Sequence, residues 1–154
     1  MRTLEERFWD SAVEAPGCWQ WTGFTTKRGY GQLVIRETGS TISAHRLSYR
    51  IAHGAIPEGM QIDHICHNRA CVNPKHLRPV TAAQNSQNRK GANKNGQSGY
   101  RGVSWHGQRS KWRAKATVAG VTRSAGLYDS REDAAEAARA LRMQMMTHNT
   151  ADRI

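Results

Sequence analysis

Residues 63–77 read DHICHNRACVNPKHL. His64, His67, His76, Cys66, Cys71, Asp63 and Asn73 crowd into fifteen positions, more ligand-grade side chains than a packed apolar core uses. Cys66, Cys71 and His76 follow a C-x4-C-x4-H spacing. Thiolate and imidazole are the preferred ligands of tetrahedral zinc. The chain holds one further cysteine, Cys18, beside Trp19 and Trp21 at the edge of an expected strand. A zinc site of Cys18, Cys66, Cys71 and His76 uses every thiol and ties that strand to the loop. Four protein ligands close the coordination sphere, so such a zinc is structural. Three cysteines, with no apolar leader in MRTLEERFWD, argue against a disulfide framework. Hydrophobic content is 38%, low for one large core, and small cores benefit from a metal staple. There is no run of about 18 apolar residues, so a soluble chain in the cytoplasm is expected, with no membrane partner.

His64, Asp63 and Asn73 remain unassigned by that site. Thr81 and Gln84 have the capping-box form, which puts Asn85 in the first turn of a helix. A strand ending at His64, a loop, a short strand and this helix form a hairpin-plus-helix unit. In it His64 and the oxygens of Asp63 and Asn85 face one cavity. Hard oxygen ligands suit Mg²⁺, and a neutral imidazole beside such an ion deprotonates water near neutral pH.

The remaining pattern predicts an α+β chain in two parts. Residues 3–14 read as a short helix with Thr3 as N-cap and Glu6 three positions on. GCWQWTG, YGQLVI and STISAH read as strands, RLSYRIAHG as a helix stopped by Gly54, IPEGMQIDHI as extended, LRPV as a strand and TAAQNSQNR as a helix. This first domain spans residues 1–89. Residues 90–98, KGANKNGQS, lack large apolar side chains and form a basic linker. From 99 to 150 three strand-like runs, YRGVSW, KWRAKATV and TRSAGLY, precede a helix capped by Ser130. In KWRAKATV, Trp112, Ala114, Ala116 and Val118 share one face; Lys111, Arg113, Lys115 and Thr117 share the other.

The charge is +11, and its distribution is one-sided: from His64 to Tyr128 there are twelve Lys and Arg and no Asp or Glu. Sixty-five residues of that kind fit a polyphosphate partner, because each neutralised phosphate releases counterions.

HICHNRACVNPKHL resembles the HNH, or ββα-metal, nucleases, and is especially similar to the His-Cys box homing endonucleases. The upstream GCWQWTG, GYG and AHRLSY look like the HNH proteins of phages and mobile introns, so the resemblance covers roughly residues 8–90. It implies that His64 is the general base and that Asn85 holds the divalent cation, Mg²⁺ with Mn²⁺ possible. Cys18, Cys66, Cys71 and His76 bind structural zinc, and Asn73 fixes the loop around the base. Intron-type members place a metal-binding Asp just before the base, which makes Asp63 the second ligand. The implied reaction is attack of water on a DNA phosphodiester, with Arg46 as the candidate phosphate-clamping cation and a host bacterium's cytoplasm as the setting. His45, His53 and His67 are expected to be structural or exposed. The chain departs from the His-Cys box enzymes in having no cysteines for a second zinc site.

Residues 98–148 resemble the AP2 DNA-binding domain in YRGV, KW, GLYD and the Ala-rich helix. That family reads the major groove of double-stranded DNA with a three-stranded sheet. The resemblance implies contacts from Arg101, Trp105, Arg109, Lys111, Arg113, Lys115 and Arg123, joined by Arg89, Lys90 and Lys94 at the linker. Ser124 stands where plant members carry Trp, so base preference does not transfer. The leading expectation is a site-directed DNA endonuclease of homing type, monomer or homodimer. The competing one is a non-catalytic, zinc-stabilised DNA-binding regulator.

Overall fold

The structure, a computed structural model, describes residues 2–92 and 96–152. The chain is mixed α+β and divides into two compact units, 1–82 and 83–154.

The first unit begins with α1 (Leu4–Trp9), closed by the predicted capping box between Thr3 and Glu6. The helix is shorter than the sequence suggests. Ala12–Val13 leaves it as β1 and pairs antiparallel with β2 (Gln20–Trp21). A second hairpin joins β3 (Gln32–Val34) to β4 (Thr41–Ser43). α2 (Ala44–His53) follows without a linker, taking Ala44 and His45 from the run read as strand, and ends at Gly54 with φ 84°. β5 (Gln61–His64) and β6 (Leu77–Val80) pair antiparallel, with His64 opposite Leu77. A 3₁₀ turn, Pro74–His76, leads into β6.

The core of this unit is Phe8, Trp21, Leu33, Ala44, Leu47 and Val72. The Phe8 and Trp21 rings stack at 5.6 Å. Gly31 is required here: a Cβ would lie 2.5 Å from Trp21 Cδ1 and 2.9 Å from the Ala44 Cβ. Two backbone bonds then bring the zinc-type ligands together. Trp21 N–H donates to Ala70 O and Val72 N–H to Trp19 O, both at 2.9 Å. These place Gln20 opposite Cys71, so Cys18 reaches the loop through strand pairing. Ser48 Oγ donates to Val72 O at 2.5 Å and fastens that loop to α2.

The second unit takes in nearly all of α3 (Ala82–Gln87), together with a three-stranded antiparallel sheet and one long helix. The boundary between the units follows Ala82, the first residue of α3. Arg101 ties the helix to the second unit, its guanidinium donating to Ser86 O, Gln87 O and Arg89 O. β7 (Val103–His106), β8 (Lys111–Val118) and β9 (Val121–Tyr128) are ordered β7-β8-β9. Ala119 and Gly120 make the β8–β9 turn with φ 49° and 80°, the two positive values of a two-residue hairpin. α4 (Arg131–Met145) is capped by Ser130 Oγ, which accepts from Glu132 and Asp133 N–H. Its Ala134 and Ala138 are fully buried against Val103 and Ala114, with Trp112 packed at the edge. Among the described residues no helix is long and apolar enough to cross a membrane.

Candidate metal centre and active site

One ligand atom from each of Cys18, Cys66, Cys71 and His76 lies within 4.8 Å of the others. The His76 Nδ1 is 3.6 Å from both Cys18 Sγ and Cys71 Sγ. A tetrahedral zinc with Zn–S about 2.3 Å and Zn–N about 2.0–2.1 Å has S···N edges of about 3.6 Å. The four residues therefore fit a single tetrahedral ion. Crowded sulfurs also separate their protons. Hydrogen bonding from Cys71, and less from Cys18, lowers the Cys66 thiol to about 4, while the same partnership with Cys66, together with burial, pushes Cys71 up. A cluster that holds a thiolate favours a cation at its centre.

Asn73 braces this centre. Its Oδ1 accepts from Lys75 N–H at 3.0 Å and caps the 3₁₀ turn that carries His76. Its Nδ2 donates to Gly17 O at 2.5 Å, next to Cys18. The loop it fixes is that of the sulfur ligands, where the sequence reading placed it around the base.

His64 ends β5 and is not one of the four clustered ligands. The next ladder bond, Ile65 N–H to His76 O at 2.9 Å, opens the metal loop directly beyond it. The His64 ring is buried, and its Nε2 lies 3.0 Å from Cys71 O. A carbonyl oxygen only accepts, so Nε2 carries the hydrogen and a neutral ring has its lone pair at Nδ1. Burial is the main cause that holds His64 below the ordinary imidazole pKa. This ring is therefore neutral and in a defined tautomer at neutral pH.

Asp63 is the cross-strand partner of Arg78. Arg78 Nη2 and Nε donate to one carboxylate oxygen, Oδ2, at 2.9 and 3.1 Å. The pair is mostly buried, a role for Asp63 that the sequence reading did not assign. Asn85 stands half-buried on α3, in the second unit. Arg46 is half-buried on α2, and its charge is felt at His45.

The structure adds residues that the sequence reading set aside. The His45 ring is 4.8 Å from the His64 ring, and Tyr30 lies 5.6 Å and 6.0 Å from the two. His45 is 8% exposed and its Nδ1 has no hydrogen-bond partner among the described residues. Burial, then the fields of His64 and Arg46, lowers it to about 3. The Arg69 guanidinium carbon lies over the Tyr30 ring, 5.4 Å from its centroid. The available signal was the presence of GYG and AHR upstream of the motif, but neither has a fixed spacing to His64. His53 packs on Tyr49, and His67 adopts a positive φ of 58°.

On the sheet, register sorts the expected contacts. Ser104 and His106 pair with Arg113 and Lys111, so these four share the face away from α4, together with Lys115. Trp105 pairs with Trp112 and Arg123 with Ala116. Both therefore belong to the α4-facing side of the sheet, and both are exposed. The Arg101 guanidinium donates to the carbonyls of Ser86, Gln87 and Arg89 and to Met146 Sδ. Arg109 is exposed on the turn before β8, and Arg89 and Lys90 are exposed after α3. Lys111 pairs with Asp129 at 2.9 Å. Lys94 lies outside the described residues. Ser104 Oγ, His106 Nδ1 and Arg113 Nε are covered and lack hydrogen-bond partners among the described residues.

Residues 43–87 match the family model described as HNH endonuclease. That segment contains His45, Asp63, His64, Cys66, Cys71, His76 and Asn85 and excludes Cys18. The chain is similar to Protein 2.8 of Escherichia phage T7, 38% identical over 74 residues, which are 48% of this chain and 50% of that protein. It is also similar to Protein 7.7 of the same phage, 37% identical over 70 residues, 46% of this chain and 52% of the relative. Protein 3.8 of phage T7 is 37% identical over 76 residues, 49% of this chain and 62% of that protein. The chain thus spans about half the length of the first two curated relatives. No solved structure matches it.

Proposed function

We propose that the chain is a metal-dependent DNA endonuclease of the HNH type, with His64 as general base. The observation that carries this reading is the His64 ring: buried, held neutral, and donating from Nε2 to the carbonyl of Cys71. It lies in the segment that matches the HNH endonuclease model. The proton-accepting Nδ1 takes a proton from a water that attacks phosphorus in line with the departing 3′ oxygen. Asp63 and Asn85, read from the order of the motif, would hold the divalent cation, Mg²⁺ or Mn²⁺. That ion supplies charge stabilisation at the phosphate and at the leaving alkoxide. Zinc on Cys18, Cys66, Cys71 and His76 shapes the loop and takes no part in bond breaking.

The second unit is proposed to bind double-stranded DNA through the face of Lys111, Arg113 and Lys115, in the manner of an AP2 domain. Support comes from the register, which puts Lys111, Arg113 and Lys115 in one row on the sheet face away from α4. A homing-type role in a phage-infected bacterium fits the pairing of such a unit with a nuclease. The non-catalytic alternative draws on one observation, the engagement of Asp63 by Arg78.

The test is cleavage of supercoiled DNA by the wild type and by His64→Ala, with Mg²⁺ or EDTA, alongside zinc analysis. Cleavage is expected from the wild type with Mg²⁺ only, with one zinc in each protein. Because the His64 pKa is lowered, the base form survives below the ordinary imidazole range. The rate should hold its plateau at about pH 6.5 and decline only at lower pH. Identical, metal-independent behaviour of the two proteins would establish the non-catalytic reading instead.

A further inference from the structure

We infer that Arg69 grips a non-bridging oxygen of the scissile phosphodiester, so that the phosphate-clamping cation comes from the metal loop and not from Arg46 on α2. This rests on the nuclease reading above and deepens it.

Arg69 sits between two candidate zinc ligands, Cys66 and Cys71. The loop holding it is pinned on both sides. Asn68 Oδ1 accepts from Ala70 N–H and Asn68 O from Cys71 N–H, each at 3.1 Å. Ala70 O accepts from Trp21 N–H at 2.9 Å. The side chain is also aimed. Its guanidinium lies over the Tyr30 ring at 5.4 Å, and Nη1 donates to Arg28 O at 3.1 Å. The same Tyr30 ring is a neighbour of the base, 6.0 Å from the His64 ring. The Arg69 charge is felt at His64.

Arg69 is exposed, and among the described residues no carboxylate pairs with it. One of its five N–H groups meets Arg28 O, and the rest of the fork remains for an anion. A guanidinium already placed over an aromatic ring and bonded to Arg28 O offers a fork of donors to phosphate oxygens and loses less rotamer freedom on binding. The x4 gap between the cysteines then has a use. It is long enough to present a cation beside the base, while zinc fixes both of its ends. Arg46 has neither an aromatic platform nor a pinned loop among the contacts described.

The experiment compares full-length wild type, Arg69→Gln, Arg69→Lys and Arg46→Gln. Single-turnover cleavage of supercoiled DNA is measured at saturating protein with Mg²⁺, DNA binding in EDTA, and zinc content. Arg69→Gln is expected to slow cleavage by about 100-fold, the scale of losing one transition-state donor. DNA binding should change by less than about fivefold, with one zinc retained. Arg69→Lys keeps the charge without the fork and should recover part of the rate. Arg46→Gln should cleave within about threefold of wild type. Wild-type cleavage by Arg69→Gln, or a larger loss in Arg46→Gln, overturns the inference and leaves the nuclease reading standing. If Arg69→Gln loses zinc, Arg69→Lys decides: with zinc bound, a rate equal to wild type overturns the inference. A wild-type chain that does not cleave at all removes the nuclease reading itself.

Discussion

His45 is nine-tenths buried beside a second imidazole, and both rings are kept neutral by that burial. Its folded-state pKa of about 3 lies far below the ordinary 6.5. Between those values the unfolded chain binds a proton that the folded chain refuses, so stability rises with pH through this window and is lost as pH falls. Replacing His45 with Phe should remove part of that loss. Urea midpoints of wild type and His45→Phe at pH 7.5 and pH 5 check this; equal losses in the two proteins count against it. At the same scale, His64 was legible from its place in the motif, and His45 was not. A lone histidine early in a helix has no spacing rule that ties it to a residue 19 positions on. Arg101 shows the converse. It looks like a groove contact in YRGV, yet its guanidinium closes the last turn of α3, because three carbonyls at a helix end attract a nearby cation more than open solvent does.

At the scale of elements, the metal loop depends on β2. Cys18 arrives because residues 19–21 pair with residues 70–72, and its sulfur lies 3.6 Å from His76 Nδ1. Cys18→Ser should leave the chain with well under one zinc per molecule and lower its melting temperature, since zinc binding to such a cluster is folding free energy. Zinc analysis of the purified variant measures this, and full zinc retention would remove Cys18 from the ligand set. The β8–β9 turn offers a second check. Ala119 sits at φ 49°, a conformation alanine disfavours and asparagine accepts. Ala119→Asn, creating Asn-Gly, should stabilise the second unit by about 0.5–1 kcal/mol, read as a rise in denaturation midpoint. Most elements were visible beforehand through caps and alternation, as with Thr3 and Glu6, Ser130, and KWRAKATV. The exceptions are edges. Ala12–Val13 became strand because Trp21 is paired there, and no local pattern encodes a two-residue strand.

For the whole molecule, a net charge of +11 sets the salt response. DNA binding should weaken steeply as salt rises, and each removed phosphate contact should reduce the log–log slope by about 0.9. The double variant Lys111→Gln, Lys115→Gln tests this against Arg123→Gln, which lies on the other side of the sheet by register. An unchanged slope in the double variant would move the DNA face elsewhere. The sequence by itself determined the α+β class, the four candidate zinc ligands, the basic central stretch and the candidate base. Each of these is carried by residue type and short spacing, which act locally along the chain. Only the tertiary structure decided that Asp63 is engaged by Arg78, that Trp105 and Arg123 lie on the side of the sheet opposite the cationic row, and that Tyr30, His45 and Arg69 gather at His64. Those outcomes depend on strand register and on backbone bonds between segments distant in sequence, and a one-residue slip in pairing would change the face of every side chain involved.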